Sequence, residues 1–107
     1  GVQPVMMTLP PIDGERYLSF LCRDNLRRDR ILDWLGEHQM IYRHQELYAD
    51  TAAEIALREN IPLIPVRQTF LRNHRLSQLI AADGIHLTMG GYEQLFDTLA
   101  DWVKHNI

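Results

Sequence analysis

The residues best suited to chemistry are an aspartate and a histidine three positions apart, near the C-terminal end of the chain. Asp83 and His86 belong to the segment Asp-Gly-Ile-His at residues 83–86. A histidine that acts as an acid or a base needs a partner on its second ring nitrogen, which fixes the tautomer and stabilises the imidazolium. A carboxylate three positions upstream in a tight turn can supply that hydrogen bond. The spacing therefore predicts an Asp83–His86 pair capable of general acid–base catalysis.

The residues around this pair predict a turn followed directly by a helix. Gly84 permits backbone angles that a side chain would resist, and Thr88 stands where a helix N-cap is expected. Apolar residues recur at helical spacing from residue 89 to residue 105. Because Asp-Gly is a common turn dipeptide, the alternative interpretation is a solvated turn with an incidental histidine.

Composition narrows the class of protein. The 107 residues form one domain, and 46% apolar with 23% charged residues is typical of a soluble globular protein. A net charge of −3 provides no basic patch for nucleic acid. No apolar run is long enough to span a bilayer and no signal peptide is recognised, which favours a cytoplasmic location. Cys22 is the single cysteine, so neither an internal disulfide nor a thiolate metal cage is expected.

Other residues that could take part in catalysis or ligand binding have simpler structural interpretations. The remaining histidines lack a consistent metal-ligand spacing and are expected on the surface: His38, His44, His74 and His105. Asp13 and Glu15 follow the first predicted strand and could line the mouth of a site, although solvated loop acids are the simpler interpretation. Trp34 and Trp102 are expected in a core or an interface. No metal and no organic cofactor is required by any pattern in the sequence.

The elements that must position Asp83 and His86 are predominantly helices, with two candidate strands at residues 2–9 and 61–66. Helices are predicted from residue 15, over residues 31–35, over 40–59 and over 89–105, with short helical turns between 68 and 82. Strands joined by a long helical crossover are expected to lie parallel, with a right-handed connection. Parallel strands are normally flanked by further strands, and no further strand is predicted here. The chain is therefore expected to be part of a larger α/β fold.

Residues 83–92 resemble the C-terminal block of the SGNH (GDSL-type) hydrolases, in which an Asp-x-x-His turn precedes a short cap and a final helix containing Gly-Tyr. Residues 5–11 are similar to the strand and proline turn that follow the family's Gly-x-Asn-Asp block, and residues 61–66 to the strand before the catalytic turn. The resemblance spans nearly the whole chain, but only the Asp-x-x-His block is specific. It implies a partial three-layer α/β/α flavodoxin-like fold, with residues 1–107 as a single-domain fragment from its C-terminal half and the N-terminal half absent.

The function that this resemblance implies is that of a serine ester hydrolase, a GDSL-type lipase or acylhydrolase acting on a small-molecule ester. His86 would be the general base of a Ser-His-Asp triad, and Asp83 its orienting partner. The Gly-Asp-Ser block that carries the nucleophile is absent from the sequence, and Ser19 and Ser77 lack the surroundings of a nucleophile. The chain alone is therefore expected to be inactive, and to form a homo-oligomer or to associate with the missing N-terminal half. The alternative function is a non-catalytic module that self-assembles through exposed strand edges.

Overall fold

The structure, a computed structural model, describes residues 1–23, 28–37 and 39–107. Helices make up most of the described chain, and the strands are only two residues long. In chain order the elements are β1 (Met6–Met7), α1 (Gly14–Leu21), α2 (Arg28–Leu35), α3 (Met40–Arg58), β2 (Leu63–Ile64), α4 (Val66–Leu71), α5 (Leu76–Leu79) and α6 (Met89–Asn106).

The two strands pair in parallel, as predicted, with Met6 opposite Leu63 and Met7 opposite Ile64. The Met6 amide donates to the Pro62 carbonyl at 2.9 Å and the Thr8 amide to the Ile64 carbonyl at 3.1 Å, which extends the pairing at both ends. These contacts bring the ends of β1 and β2 to the same edge of the sheet.

The expected three-layer α/β/α flavodoxin-like fold is wrong. The described chain is 62% helical, and β1 and β2 form a sheet of only two short parallel strands. Prolines account for part of the difference, because Pro62 and Pro65 bracket β2 and cannot donate to a ladder. The predicted strand at residues 61–66 is therefore reduced to residues 63–64, and Val66 instead begins α4. A sheet of two such short strands is too small to form the central layer between two layers of helices.

The predictions of the two long helices are confirmed. The pattern over residues 40–59 is confirmed by α3, which ends at Arg58, and the pattern over residues 89–105 by α6, which ends at Asn106. The helix predicted over residues 31–35 also ends where expected, since α2 ends at Leu35 and the next residue, Gly36, has a φ of +91°. Such a left-handed residue commonly ends a helix, and glycine takes it without strain.

The main hydrophobic core lies where β2, α4, α5 and α6 meet. Its centre consists of four buried residues, Ile64, Val66, Phe70 and Leu79. Partly buried side chains from α5 and α6, with one from the preceding turn, pack around it: Leu76, Leu87, Leu95, Leu99 and Trp102. Of the apolar residues expected to form the inward-facing stripe of α6, only Leu95 and Leu99 pack against the core. Tyr92, Phe96 and Val103 are 52%, 69% and 46% exposed, so that part of the prediction is wrong.

A buried polar network connects α3 to the ends of both strands. Arg67 is only 5% exposed, and its guanidinium donates to Gln45 Oε1 at 2.5 Å and to Glu46 Oε1. The Arg67 amide donates to Thr8 Oγ1 at 2.9 Å, and the Thr8 hydroxyl donates to Gln68 Oε1 at 3.1 Å. Because buried polar groups are costly unless they are hydrogen-bonded, this network fixes how α3 lies against the strand ends.

Candidate active site

The segment between α5 and α6 forms the predicted turn around Asp83. Asp83 Oδ1 accepts hydrogen bonds from the amides of Ile85 and His86, each at 3.0 Å. Gly84 has a φ of +82°, and its amide donates to the Ala81 carbonyl at 2.9 Å. The side chain of Asp83 therefore closes the turn on itself, in a backbone conformation that favours glycine at position 84.

The same aspartate contacts the histidine ring, so the predicted pairing of Asp83 with His86 is confirmed. Asp83 Oδ2 lies 2.5 Å from His86 Nδ1. Because an ionised carboxylate can only accept, Nδ1 carries the hydrogen in this pair. The His86 side chain is 68% exposed, whereas that of Asp83 is 19% exposed. Among the described residues no hydrogen bond engages Nε2, so this ring nitrogen faces a reactant or solvent.

These hydrogen bonds also set the charge state of the aspartate. Donation by the His86 amide, then by the His86 ring and the Ile85 amide, lowers the pKa of Asp83 from 3.8 to about 2. The carboxylate is therefore ionised at neutral pH. A permanently ionised carboxylate is the state that orients a neighbouring imidazole and stabilises its protonated form.

A short antiparallel contact forms the base of the turn. Ile80 and Leu87 make an isolated bridge, the Ala81 amide donates to the His86 carbonyl at 2.8 Å, and the Thr88 amide donates to the Leu79 carbonyl at 3.0 Å. These hydrogen bonds run between the two arms on either side of Asp83. They hold the backbone of His86 in register with the end of α5.

The C-terminal arm is fixed to α6 through Thr88, which is the N-cap of that helix as predicted. Thr88 Oγ1 accepts from the Gly91 amide at 3.1 Å and donates to the Gln78 carbonyl at 2.7 Å. Gly91 lies so close to α5 that a Cβ at this position would stand 2.3 Å from the Leu79 carbonyl oxygen. The start of α6, the end of α5 and the turn therefore form one packed unit.

A second helix reaches the turn from the other side. The Asp13 amide, at the N-terminus of α1, donates to the Gly84 carbonyl at 2.8 Å. Arg16 Nη1 donates to the carbonyls of Ser77 at 3.0 Å and of Ile80 at 2.8 Å. The sequence analysis did not single out Arg16, because no spacing relates it to residues more than 60 positions away. The expectation that Asp13 and Glu15 could line the mouth of a site agrees with the structure, because both residues line a cleft beside the turn. Asp13 Oδ1 also caps α1 at the Arg16 amide.

An open cleft runs between α1 and the turn, and Ser19, Phe20, Ala82 and Asp83 are among the residues that line it. Ser19 is exposed there, but within the described chain neither Ser19 nor Ser77 forms a hydrogen bond with His86. The carbonyl of Ser77 instead accepts from Arg16. The structure brings together the predicted base and its orienting acid, and no hydroxyl of the described residues forms a hydrogen bond with the base.

The remaining candidates take no part in this site. His44, His74 and His105 are exposed, as predicted, and His38 lies outside the described residues. No group of three or more metal-ligating side chains occurs among the residues that the structure describes. Trp34 is 85% exposed and lies outside the core, whereas Trp102 packs against it.

In comparisons with known proteins, no family model matches this chain and no curated protein matches it. None of the helices over residues 1–23, 28–37 and 39–107 is both long and apolar enough to cross a membrane.

Proposed function

We propose that this chain supplies the acid–base half of a serine ester hydrolase, with His86 as the general base and Asp83 as its orienting partner. One observation carries the proposal: Asp83 Oδ2 binds Nδ1 of His86, while Nε2 of the same exposed ring is left for a reactant. This is the arrangement in which a Ser-His-Asp triad works. The resemblance of residues 83–92 to the C-terminal block of the SGNH hydrolases supports the same assignment.

In the proposed reaction, Nε2 of His86 removes the proton of a serine hydroxyl while the serine oxygen attacks the acyl carbonyl of the ester. The imidazolium that forms keeps its Nδ1 hydrogen on Asp83, and it returns the Nε2 proton to the alcohol as the ester C–O bond breaks. Water then hydrolyses the acyl-serine by the same route, with His86 again taking and returning the proton. Asp83 stays ionised throughout.

The serine in this proposal lies outside the 107 residues, in a Gly-Asp-Ser block upstream in the same polypeptide. Neither Ser19 nor Ser77 forms a hydrogen bond with His86 in the described chain, and neither follows a strand that would expose it as a nucleophile. The 107-residue chain by itself is therefore expected to leave esters intact.

The test is an ester-cleavage assay on the polypeptide encoded when the reading frame is extended upstream of Gly1. We expect hydrolysis of a chromogenic acetyl ester, and its loss in His86→Gln. His105→Gln is the matched control, because His105 also contacts an aspartate, with Nδ1 3.4 Å from Asp101 Oδ1, but on the exposed surface of α6. An unchanged rate in His86→Gln, or an upstream sequence without a nucleophilic serine, would overturn the proposal.

A second candidate function, self-association through β1, is favoured by the exposure of this edge. The amides of Met6 and Thr8 are used toward β2, so the backbone groups of Val5, Met7 and Leu9 point away from it, because neighbouring residues of a strand alternate. Val5, Met7 and Leu9 are 41%, 36% and 50% exposed. The radius of gyration is 16.1 Å, whereas a compact chain of this length has about 13 Å. The chain is therefore more extended than a compact domain, which favours its association with a second copy.

Sedimentation of the 107-residue chain at rising concentration distinguishes this candidate. We expect a dimer in which β1 edges pair, and its dissociation in Met7→Lys, because a charge on an edge strand opposes pairing. Lys104→Ala, at an exposed position in the last turn of α6, serves as the control. A strictly monomeric wild type would rule out self-association, without affecting the proposed role of His86.

A further inference from the structure

We propose that Arg16 is a positioning residue for the Asp83–His86 pair, holding the base of the turn against α1; this inference rests on the proposed function of that pair. Arg16 does not contact Asp83 or His86 through any hydrogen bond of the described chain. It acts on the backbone that carries them, through the carbonyls of Ser77 and Ile80.

The first step is that the turn is closed internally but needs an external support. Asp83 fixes its own turn by accepting from the amides of Ile85 and His86. Those hydrogen bonds determine the shape of the turn, not where it lies relative to the rest of the molecule. A hydrolytic base must be held to within a fraction of an ångström of its reactant, so the location of the whole turn matters for catalysis.

The second step is the geometry of the Arg16 contacts. Nη1 of Arg16 donates to the Ile80 carbonyl at 2.8 Å and to the Ser77 carbonyl at 3.0 Å. Ile80 is 5% exposed and pairs with Leu87 at the base of the turn. A single guanidinium nitrogen therefore connects α1 to the last residues before the turn, which is a contact that the fork of an arginine can make in a fixed orientation.

The third step is that Arg16 is itself oriented. Its Nε lies 3.3 Å from Asp13 Oδ2, and its backbone amide donates to Asp13 Oδ1 at 3.1 Å. The Asp13 amide in turn donates to the Gly84 carbonyl, inside the turn. Asp13 and Arg16 thus hold the turn at two points: Asp13 at its tip through Gly84, and Arg16 at its base through Ile80.

The approach of α1 to the tip depends on the absence of a side chain at Gly84. A Cβ there would lie 2.4 Å from the Asp13 carbonyl oxygen and 2.6 Å from the Tyr17 amide nitrogen. The backbone of α1 and the backbone of the turn are therefore in direct contact. This packing transmits the orientation of Arg16 to the residues on either side of Asp83.

The experiment compares Arg16→Met and Arg16→Lys with wild type in two ways: NMR follows the contact between the Asp13 amide and Gly84, and an ester-cleavage assay on the upstream-extended polypeptide measures kcat and KM. Arg16→Met keeps the aliphatic stem and removes every donor of the guanidinium, so we expect the contact between α1 and Gly84 to weaken and kcat to fall about 10²-fold with KM unchanged, while the hydrogen bonds inside the turn keep the pKa of Asp83 at about 2. Arg16→Lys keeps the charge and a single donor nitrogen, and partial recovery of both the contact and kcat is expected. Arg43→Met, which removes an exposed ion pair with Glu37, is the matched control.

The outcomes separate this inference from the proposed function. A folded Arg16→Met with an unchanged contact between α1 and Gly84 and an unchanged kcat would overturn the positioning role of Arg16 and leave the pair itself intact. A wild type in which Asp83 titrates near 3.8 would overturn the pair, and with it the proposed function. If Arg16→Met does not fold, amide relaxation measurements on the wild type test the positioning role instead. Order parameters of residues 81–87 close to those of α1, about 0.85, support the positioning role, whereas values below about 0.6 contradict it.

Discussion

Asp83 binds His86 at two places, through the backbone amide at 3.0 Å and through ring Nδ1 at 2.5 Å. The first contact fixes the backbone of the histidine and the second fixes its ring, so one carboxylate determines both the location and the tautomer of the base. Because the two residues are three positions apart, this relationship requires only a turn. The packing of α1, α5 and α6 then determines where the turn lies.

The two members of the pair should contribute unequally to catalysis in the upstream-extended polypeptide. Loss of the base in His86→Gln is expected to lower kcat on the order of 10⁶-fold, and loss of the orienting charge in Asp83→Asn on the order of 10⁴-fold. Steady-state rates on a chromogenic ester measure both. Equal rates for wild type and Asp83→Asn would show that the carboxylate does not orient the base.

The lowered pKa of Asp83 predicts how stability depends on pH. The carboxyl titrates at about 2 when folded, against 3.8 when unfolded, so the unfolded chain binds the proton more readily between these values. The stabilising contribution of Asp83 is therefore fully present above the unfolded pKa and is lost as pH falls from about 4 to about 2. Urea unfolding of wild type and Asp83→Asn across this range should show a loss in wild type that the variant lacks. Parallel pH profiles would contradict the assigned pKa.

Substitution of Gly84 should damage the turn more than a glycine-to-alanine change elsewhere. Gly84→Ala adds a left-handed backbone cost and a clash with Asp13, and about 2 kcal/mol or more of unfolding free energy should be lost. Gly36→Ala is the control, because Gly36 also has a positive φ but nothing lies within 4 Å of its added Cβ. That variant should lose only about 1 kcal/mol. Equal losses would mean that α1 does not pack on the turn in solution.

The buried network at the strand ends should contribute to stability through Arg67. Arg67→Met leaves Gln45 and Glu46 without their shared donor, and a loss of about 1–3 kcal/mol is expected, because Glu46 remains partly open to solvent. Arg58→Met removes only an exposed contact with Glu59 and should change the unfolding free energy by less than about 1 kcal/mol. Chemical denaturation measures both variants. A similar effect for the two would show that the network is not buried as described.

What the sequence predicted correctly is what local residues determine. The cap at Thr88, the helical spacing of α6 and the Asp83–His86 turn all depend on residues within a few positions of one another. The extent of the strands, in contrast, does not depend on nearby residues alone. Residues 2–9 are apolar enough for a strand, but pairing needs a partner with free amides, and the prolines beside β2 limit that partner to two residues.

The support of the turn by Arg16 could not be predicted either, because it depends on residues that are distant in the sequence. Its hydrogen bonds to Ser77 and Ile80 span 61 and 64 positions, and no periodicity in the sequence relates an arginine on α1 to two carbonyls near α5. The flavodoxin-like fold class was wrong because it was taken from the resemblance to the SGNH hydrolases, whereas the described chain is mostly helical and has only two short parallel strands.

The most direct test of the central claim is ¹⁵N NMR of the His86 ring in the 107-residue chain. With Asp83 on Nδ1, the neutral imidazole should carry its hydrogen on Nδ1 and leave Nε2 unprotonated, and the Asp83 carboxyl should titrate at about 2. The substitution Asp83→Asn should abolish this tautomer preference. A ring protonated on Nε2, with Asp83 titrating near 3.8, would show that His86 is an incidental residue of a solvated turn and would contradict its assignment as a general base.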